Sequence, residues 1–569
     1  MSTVVVAATS LVEDELSAAM ARVLPPEQTG RDPLVRPSEQ ADFQSGAALA
    51  LGKAAGVAPR ELAERLAGAI RGGLAATVSG PGFVNVTVGD EWLWRQVAAR
   101  LAADRLGVGE PLAGQRVVVD YSGPNIAKEL HVGHLRSTVI GDALARTLGH
   151  LGADVVRQNH LGDWGTQFGM LIQYLDEHPD EQWRDVALVD ALYRTARQAF
   201  DADPAFAERA RQRVVALQAG DEGTLAVWRE LVALSEQAFQ WIYDRLGVLL
   251  TEADADAESA FNDQLDEVVA EFVAAGLTVQ SEGALCVFAD GVAAPLIIRK
   301  QNGGYGYPAT DLATIRHRLH TLKADRILYV VDARQALHFK LVFDAAHRIG
   351  WLTDPRAAAH VPFGMVLGPG GTPFKTRSGD TVRLADLLDA AEDGVRAVLA
   401  DKPHELDEEQ LAEVVRAAAV GAVKYADLSN ARTKNYVFDL DRMVSLSGDT
   451  AVYLQYAHAR LRTLLAKAGA DQGDLDPAIP PHPAERALIL RLDAFDAVLR
   501  EVAQTLEPHR LCGYLYGVAK ALTDFYGACP VLKAPSPAVR ANRLALCRLT
   551  AETLAQGLGL LGIAAPERM

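Results

Sequence analysis

A chain of 569 residues, 49% of them apolar, carries too much apolar surface for one core and is expected to divide into several domains. Its 73 acidic against 56 basic residues, a formal charge of −17, argue against a protein that coats nucleic acid by counterion release, but leave room for a local basic or aromatic RNA-binding patch. No apolar run reaches the ~20 residues that cross a bilayer. The opening MSTVVVAATSLVEDELSAAM meets Glu13, Asp14 and Glu15 too early for a signal peptide, and Cys286, Cys512, Cys529 and Cys547 are too scattered for a zinc or disulfide framework. A cytoplasmic chain is therefore expected, with reduced core thiols, no membrane partner and no protein-bound zinc.

Residues 1–110 mix the helical patterns FQSGAALALGKAAG and PRELAERLAGAI with the period-two run FVNVTV, as a small α/β or α+β module would. In GQRVVVDYSG an apolar strand runs into a Gly-Pro break. HLRSTVIGDALARTLGHLG is then helical, and ADVVRQNHLGD returns as a strand. This β-α-β order opens a Rossmann-like parallel sheet, assigned to residues 111–400. From about 175 to 255 the helical pattern is too long for a crossover and is expected to be an insertion. The strand-like runs ALCVFAD, APLIIRK, RILYVVDA and FGMVLG are expected to supply the second half of the sheet. Residues 401–569 read as an all-α domain, with DPAIPPHPAE as a connector between helices.

The stretch richest in chemistry is SGPNIAKELHVGHLRST. A helix N-terminus that follows a strand stabilises an anion through its free N–H groups and dipole. His131 and His134, three apart, are expected to share a face in the first turns, with Gly133 leaving space for a flat ligand such as adenine. Taken alone, H-x-G-H describes two surface histidines on an ordinary helix equally well. Downstream, GPGGTPFKTRSGD sets Gly370 and Gly371 before Lys375, Thr376 and Arg377, a hinged basic loop suited to clamping phosphates or simply a solvated hairpin tip. The two features together, at opposite halves of one sheet, imply adenylyl transfer.

On these residues the chain resembles the class I aminoacyl-tRNA synthetases, and among them the arginyl-tRNA synthetase family. SGPNIAKELHVGHLRSTVIGDALAR resembles the HIGH segment, NHLGDWGTQFG the loop after the next strand, and FKTRSG the KMSKS loop. FQSGAALALGK and GPGFVNVTV resemble the N-terminal module of arginyl enzymes, while DTAVYLQYAHARLR and DFYGACPVL…LGIAAPERM resemble their helical anticodon-binding domain. The resemblance implies L-arginine, ATP with Mg²⁺ and tRNA(Arg) as substrates of a monomeric ligase.

It also implies residue roles. Catalysis would fall to His131, His134, Lys128, Lys375 and Arg377, with ATP held by His131, Gly133, His134, Gly370, Gly371 and Thr376. FKTRSG departs from KMSKS: with Phe374 at the methionine position, Thr376 stands where the second lysine belongs, and Lys128, three residues before His131, is the implied substitute. A guanidinium is best read by paired acceptors, and YGYPATDLA sets Tyr307 and Asp311 four apart, one helical turn. A packed tyrosine and a first-turn carboxylate fit that spacing too. The resemblance places both in the arginine pocket, with Asp120, Gly123, Pro124, Asn125, His134, Glu258 and Gln335.

Tyr453, Tyr456 and Arg460 fall on one helix face, which suits either a core stripe or a base-stacking platform. The resemblance carries them, with Tyr526 and Met569, to the anticodon surface, and carries Phe83 and Asn85 to a tRNA D-loop contact. Three rivals remain: a neighbouring class I specificity, a nucleotidylyltransferase sharing H-x-G-H, and an inactive synthetase-like RNA-binding protein. The second leaves the large C-terminal helical region unexplained, and intact His131, His134 and Asp311 count against the third.

Overall fold

The computed structural model describes residues 4–301, 303–354, 356–372, 374, 382–400, 406–469 and 473–569. Near the N-terminus, β1 (Val35–Pro37), β2 (Phe43–Ser45), β3 (Ala75–Ser79) and β4 (Phe83–Thr87) form an antiparallel sheet in the order β1-β2-β4-β3. Val84 and Val86 of β4 are buried against the helices Ala8–Val23 and Pro59–Ala69 of this module. The stretch FQSGAALALGKAAG does not form one amphipathic helix. Phe43–Ser45 is a strand, the Ser45 hydroxyl accepts from the Ala47 N–H (3.2 Å), and the helix that begins there is only Ala47–Leu51.

Next, β5 (Arg116–Asp120) and β6 (Asp154–Gln158) run parallel on either side of the helix Val132–His150. The strands β7 (Val279–Ser281), β8 (Ala284–Val287) and β9 (Leu296–Arg299) form a sheet of their own. Then β10 (Arg326–Tyr329) and β11 (Ala358–His360) rejoin the first pair to give a parallel sheet in the order β11-β10-β5-β6. Strand order reverses between β5 and β10, so a crevice opens above their carboxyl ends, where open parallel sheets place ligands.

ALCVFAD and APLIIRK, expected to extend the parallel sheet, lie instead in the separate antiparallel sheet of β7, β8 and β9. Glu282 and Gly283, with φ of 49° and 78°, close a two-residue hairpin that turns β8 back antiparallel to β7. In β9, Leu296 and Ile298 are buried while Ile297 is exposed, the alternation of a sheet covered on one face. FGMVLG also lies outside the main sheet: β12 (Val366–Leu367) pairs with β13 (Tyr436–Val437).

The insertion consists of the helices Val186–Ala202, Pro204–Gln218 and Glu222–Leu246. After β12 the chain is largely helical, from Leu384–Ala400 and Glu408–Leu428 to Pro537–Leu560. Among the described residues no helix is long and apolar enough to cross a membrane. Two buried ion pairs tie the helix Val132–His150 to Glu408–Leu428: Arg136 with Asp427 at 3.1 Å and Asp142 with Lys424 at 3.8 Å. The Lys424 ammonium also donates to the carbonyls of Leu246 and Gly562, both at 2.8 Å, so one buried cation joins the helix Val132–His150, the insertion and the C-terminal region. Burial lowers its pKa to about 8 against the pull of Asp142. The N-terminal module is fixed to the helix Pro483–Asp493 and the connector before it by the buried Arg100–Asp493 pair (2.7 Å) and by Trp94, whose indole donates to Ile479 O (2.8 Å).

Removing one partner of such a pair strands the other charge. Asp427→Ala is expected to cost about 3–5 kcal/mol in urea unfolding, and Arg136→Met with Asp427→Leu to recover most of it. A single variant with an unchanged midpoint would contradict the anchoring role.

Candidate active site

The loop after β5 sets the geometry of the crevice. Ser122, Gly123 and Ala127 all have positive φ (72°, 56° and 64°), a cost for the serine and the alanine that their surroundings offset. The Ser122 N–H donates to Ser137 Oγ (2.9 Å), and its hydroxyl lies 2.8 Å from that of Tyr243. Asn159 Oδ1 accepts from the Gly123 N–H (3.0 Å), while its amide donates to Tyr243 (3.1 Å). The Ala127 N–H donates to Ser235 Oγ (3.0 Å). Asn125 lies directly on Gly162, where a Cβ would come within 2.1 Å of its Oδ1, so only glycine lets the two loops meet.

His131 is the cap of the helix rather than a member of its first turn, but the expected pairing with His134 holds, with ring centroids 4.0 Å apart. His131 Nδ1 accepts from the Gly133 N–H (3.0 Å), and His134 Nδ1 accepts from the His131 N–H (3.2 Å). With both Nδ1 atoms accepting, the ring proton of each neutral imidazole sits on Nε2. Burial and then the Lys128 charge hold the His131 pKa below its usual range, against Asp190. Burial, His131 and Lys128 take His134 down to about 3. Near neutral pH the pair is thus two uncharged Nε2–H donors at a helix N-terminus. Gly133 leaves room for the His131 ring: a Cβ there would lie 2.7 Å from His131 Cε1.

The downstream segment is joined to this helix start through the backbone. The Val132 N–H donates to Val382 O (3.0 Å), and the Leu384 N–H to Leu130 O (2.9 Å). Gly370 and Gly371, with φ of 79° and 74°, form a tight turn in which the Gly371 N–H donates to Gly368 O (3.1 Å). Phe374 stacks on Phe438 at 5.0 Å. Lys375, Thr376 and Arg377 lie outside the described residues.

Across the crevice, the helix Tyr307–His320 carries Tyr307, 65% exposed, and the partly buried Asp311. Asp311 Oδ2 is 2.7 Å from His338 Nε2. Burial works against protonation of His338, but the bond to Asp311 and that carboxylate's charge raise its pKa overall. Glu258 opens the 3-10 segment Glu258–Gln264, and burial raises its pKa to about 7, opposed by His160 and assisted by Asp311 and Asp163. Gln335 is exposed at the start of the helix Ala336–Arg348, after β10.

Asp120 is engaged beneath the crevice. Its Oδ2 accepts from Arg318 (2.8 Å), which also donates to Asp256 (3.0 Å), while His160 Nδ1 is 3.9 Å from Asp256. Burial would discharge His160, but Asp256, Asp120 and Asp311 together hold its pKa at about 9. Sequence reasoning gave no role to His160, Asp256, Arg318 or His338. Arg318 could have been found, since it stands seven residues after Asp311 on the same helix face. His338 and Asp256 meet their partners only through the tertiary fold.

On the C-terminal domain, Tyr456, Arg460, Lys467, Tyr526 and Met569 line one groove of about 360 Å³, and Arg460 lies 4.2 Å over the Tyr526 ring. Tyr453 is on the same helix, with its hydroxyl 3.1 Å from that of Thr523. In the N-terminal sheet, Phe83 is partly exposed beneath the Arg36 guanidinium at 5.6 Å. Asn85 is buried and accepts from Gln44 while donating to Ser79, both at 2.9 Å. Among the described residues no group of three or more His, Cys, Asp or Glu side chains is arranged to hold a metal ion.

Three family models match the chain: "Arginyl tRNA synthetase N terminal domain" over residues 10–88, "tRNA synthetases class I (R), catalytic domain" over 96–440, and "DALR anticodon binding domain" over 454–569. The chain is 63% identical to the arginine–tRNA ligase of Frankia casuarinae across 98% of each chain, and 49% identical to that of Streptomyces avermitilis across 99% of each. Among solved structures, the Plasmodium falciparum arginyl-tRNA synthetase superposes with a TM-score of 0.85 at 26% identity over the full length of both chains. The Thermus thermophilus arginyl-tRNA synthetase does so at 0.84 and 25%, over 99% of this chain and 100% of that one. With the site's geometry, the three matched domains and relatives of this identity, the chain belongs to the arginyl-tRNA synthetases of class I.

Proposed function

We propose that this chain joins L-arginine to tRNA(Arg) in the two steps of its family, both in the crevice above β5 and β10, acting as a monomer in the cytoplasm. First the arginine carboxylate attacks the α-phosphorus of ATP and pyrophosphate leaves. A hydroxyl of the terminal tRNA adenosine, the 2′-hydroxyl by the class I pattern, then attacks the arginyl carbonyl and AMP leaves. Mg²⁺ enters with ATP as part of that substrate. Residues 1–110 are assigned to the D-loop, 111–400 to catalysis and 401–569 to the anticodon. The free, buried state of all four cysteines fits a reducing compartment.

The reading is carried by one observation: the two neutral Nε2–H donors at the helix start neighbour Lys128, which seats on Tyr193, and Tyr193 and Glu258 both act on Tyr307, while Asp311 acts on Glu258. His131, His134 and the helix end stabilise charge on the phosphates, with backbone from Gly133, Gly370 and Gly371 and the loop of Lys375, Thr376 and Arg377. Lys128 supplies the cation that Thr376 does not. Asp311 and Glu258 face the guanidinium beside Tyr307, while Asn125, Gln335 and the Gly123-Pro124 turn receive the amino-acid end. Asp120 contributes indirectly, through the Arg318 pair that shapes the pocket floor. Tyr453, Tyr456, Arg460, Tyr526 and Met569 hold the anticodon loop. In the N-terminal module Phe83 stacks on the D-loop, and Asn85 fixes the sheet that presents it.

Asp311→Asn removes a charge from the guanidinium and none from the nucleotide. It is expected to raise the arginine KM at least ~10-fold and leave the ATP KM within about twofold. Equal effects on both would sink the assignment. Glu258, with its pKa raised to about 7, is protonated below that pH and ionised above it, while arginine stays cationic throughout. Arginine affinity measured by calorimetry should therefore strengthen from about pH 6 to pH 8, and Glu258→Gln should flatten the profile. A wild-type profile in Glu258→Gln would show that another group titrates.

Tyr456→Ala should raise the tRNA KM about tenfold with arginine affinity intact, as loss of one stacking contact does. A loss seen in arginine binding without tRNA would place the groove's role elsewhere.

A further inference from the structure

Tyr193 lies on the insertion helix Val186–Ala202, and the Lys128 ammonium sits 4.6 Å from the centroid of its ring. Its neighbourhood is that of the crevice. Asp190, one turn earlier on the same helix, acts on His131, and Tyr193 itself acts on Tyr307. This helix therefore runs along the mouth of the site. The insertion holds Lys128 a second time through the backbone: Ser235, on the helix Glu222–Leu246, takes the N–H of the left-handed Ala127 and so fixes the direction in which the next side chain leaves.

We infer that Tyr193 is a positioning residue for Lys128, its ring face seating the ammonium beside the H-x-G-H helix start. The inference rests on the reading of Lys128 as the cation that meets the phosphates. The chemistry of the seat supports it. A carboxylate at this position would also hold the lysine, but would cancel its charge. A ring attracts the cation through its quadrupole and leaves the net charge in place for the phosphate oxygens. A free lysine has four rotatable bonds to order before it can act, and a seated one has fewer. The one acid a turn away, Asp190, is engaged by Arg194 at 3.3 Å.

The test is single-turnover adenylate formation with tRNA(Arg) present and arginine saturating. It compares wild type, Tyr193→Phe, the ring-less Tyr193→Leu and Tyr193→Gln, Lys128→Ala, and Lys128→Ala combined with Tyr193→Leu. Position 193 is partly exposed, so a polar and an apolar replacement guard against a folding defect in either. The expected result is a slowing of about 2- to 30-fold in both ring-less variants, most of the rate retained by Tyr193→Phe, and unchanged arginine affinity. In the Lys128→Ala background Tyr193→Leu should cost nothing more. If Tyr193→Leu slows Lys128→Ala by the same factor as it slows wild type, or weakens arginine binding instead of the rate, the ring acts on something other than Lys128 and the inference is wrong. If Lys128→Ala alone has the wild-type rate, the reading of Lys128 fails first and takes the inference with it, a result visible in the single variant.

Discussion

The start of the helix Val132–His150 is clamped by two backbone hydrogen bonds, from the Val132 N–H to Val382 O and from the Leu384 N–H to Leu130 O, and the histidine pair takes its position from that point. The clamp joins stretches 250 residues apart in sequence, one carrying the histidines and the other leaving the Gly370-Gly371 turn. From the opposite side the insertion holds the approach loop at Ser122, Ala127 and Lys128. From below, the Arg136–Asp427 and Asp142–Lys424 pairs fix the helix to the C-terminal domain. A helix N-terminus held on three sides keeps its remaining side, with the two imidazole Nε2–H groups and the positive end of the helix dipole, for an anion.

This arrangement separates two electrostatic tasks. At the helix start, His131 and His134 are donors without charge, because burial and Lys128 disfavour protonation. Fixed neutral donors in a partly dehydrated site stabilise developing charge without reorganising. In the proposed reading the net positive charge is left to Lys128, Lys375 and Arg377. At the other end, carboxylates are gathered close enough to disturb one another: Asp311 and Asp163 both push Glu258 toward the neutral form. In the same reading the entering cationic substrate relieves that repulsion. Beneath, Arg318 pairs with both Asp120 and Asp256, and His160 lies 3.9 Å from Asp256, so opposite charges are gathered in a buried cluster under the pocket.

Much of this could be read from the residues. The apolar run before Ser122-Gly123-Pro124 announces β5 and the helix after it, and the helical spacing of Tyr456 and Arg460 predicts the face that now lines a groove with Tyr526 and Met569. What escaped has physical causes. Ala358–His360 is a strand only because β10 lies beside it, since two alanines and a histidine have little preference of their own. ALCVFAD has the apolar density of a buried parallel strand, and the hairpin at Glu282-Gly283 decides otherwise. His338 on Asp311 and Tyr193 on Lys128 are contacts between separate helices that no local pattern encodes. Asn85 illustrates the converse: its alternation with Phe83 was legible, but not that its amide would be used within the sheet.

The central claim is that one crevice presents neutral imidazole donors to the phosphate and carboxylates to the guanidinium. A crystal structure of the chain with a non-hydrolysable arginyl-adenylate analogue tests it most directly. The expected result is the phosphate mimic at Nε2 of His131 or His134, with the guanidinium against Asp311 and Glu258. An analogue bound elsewhere, or bound with its guanidinium away from both carboxylates, would contradict it.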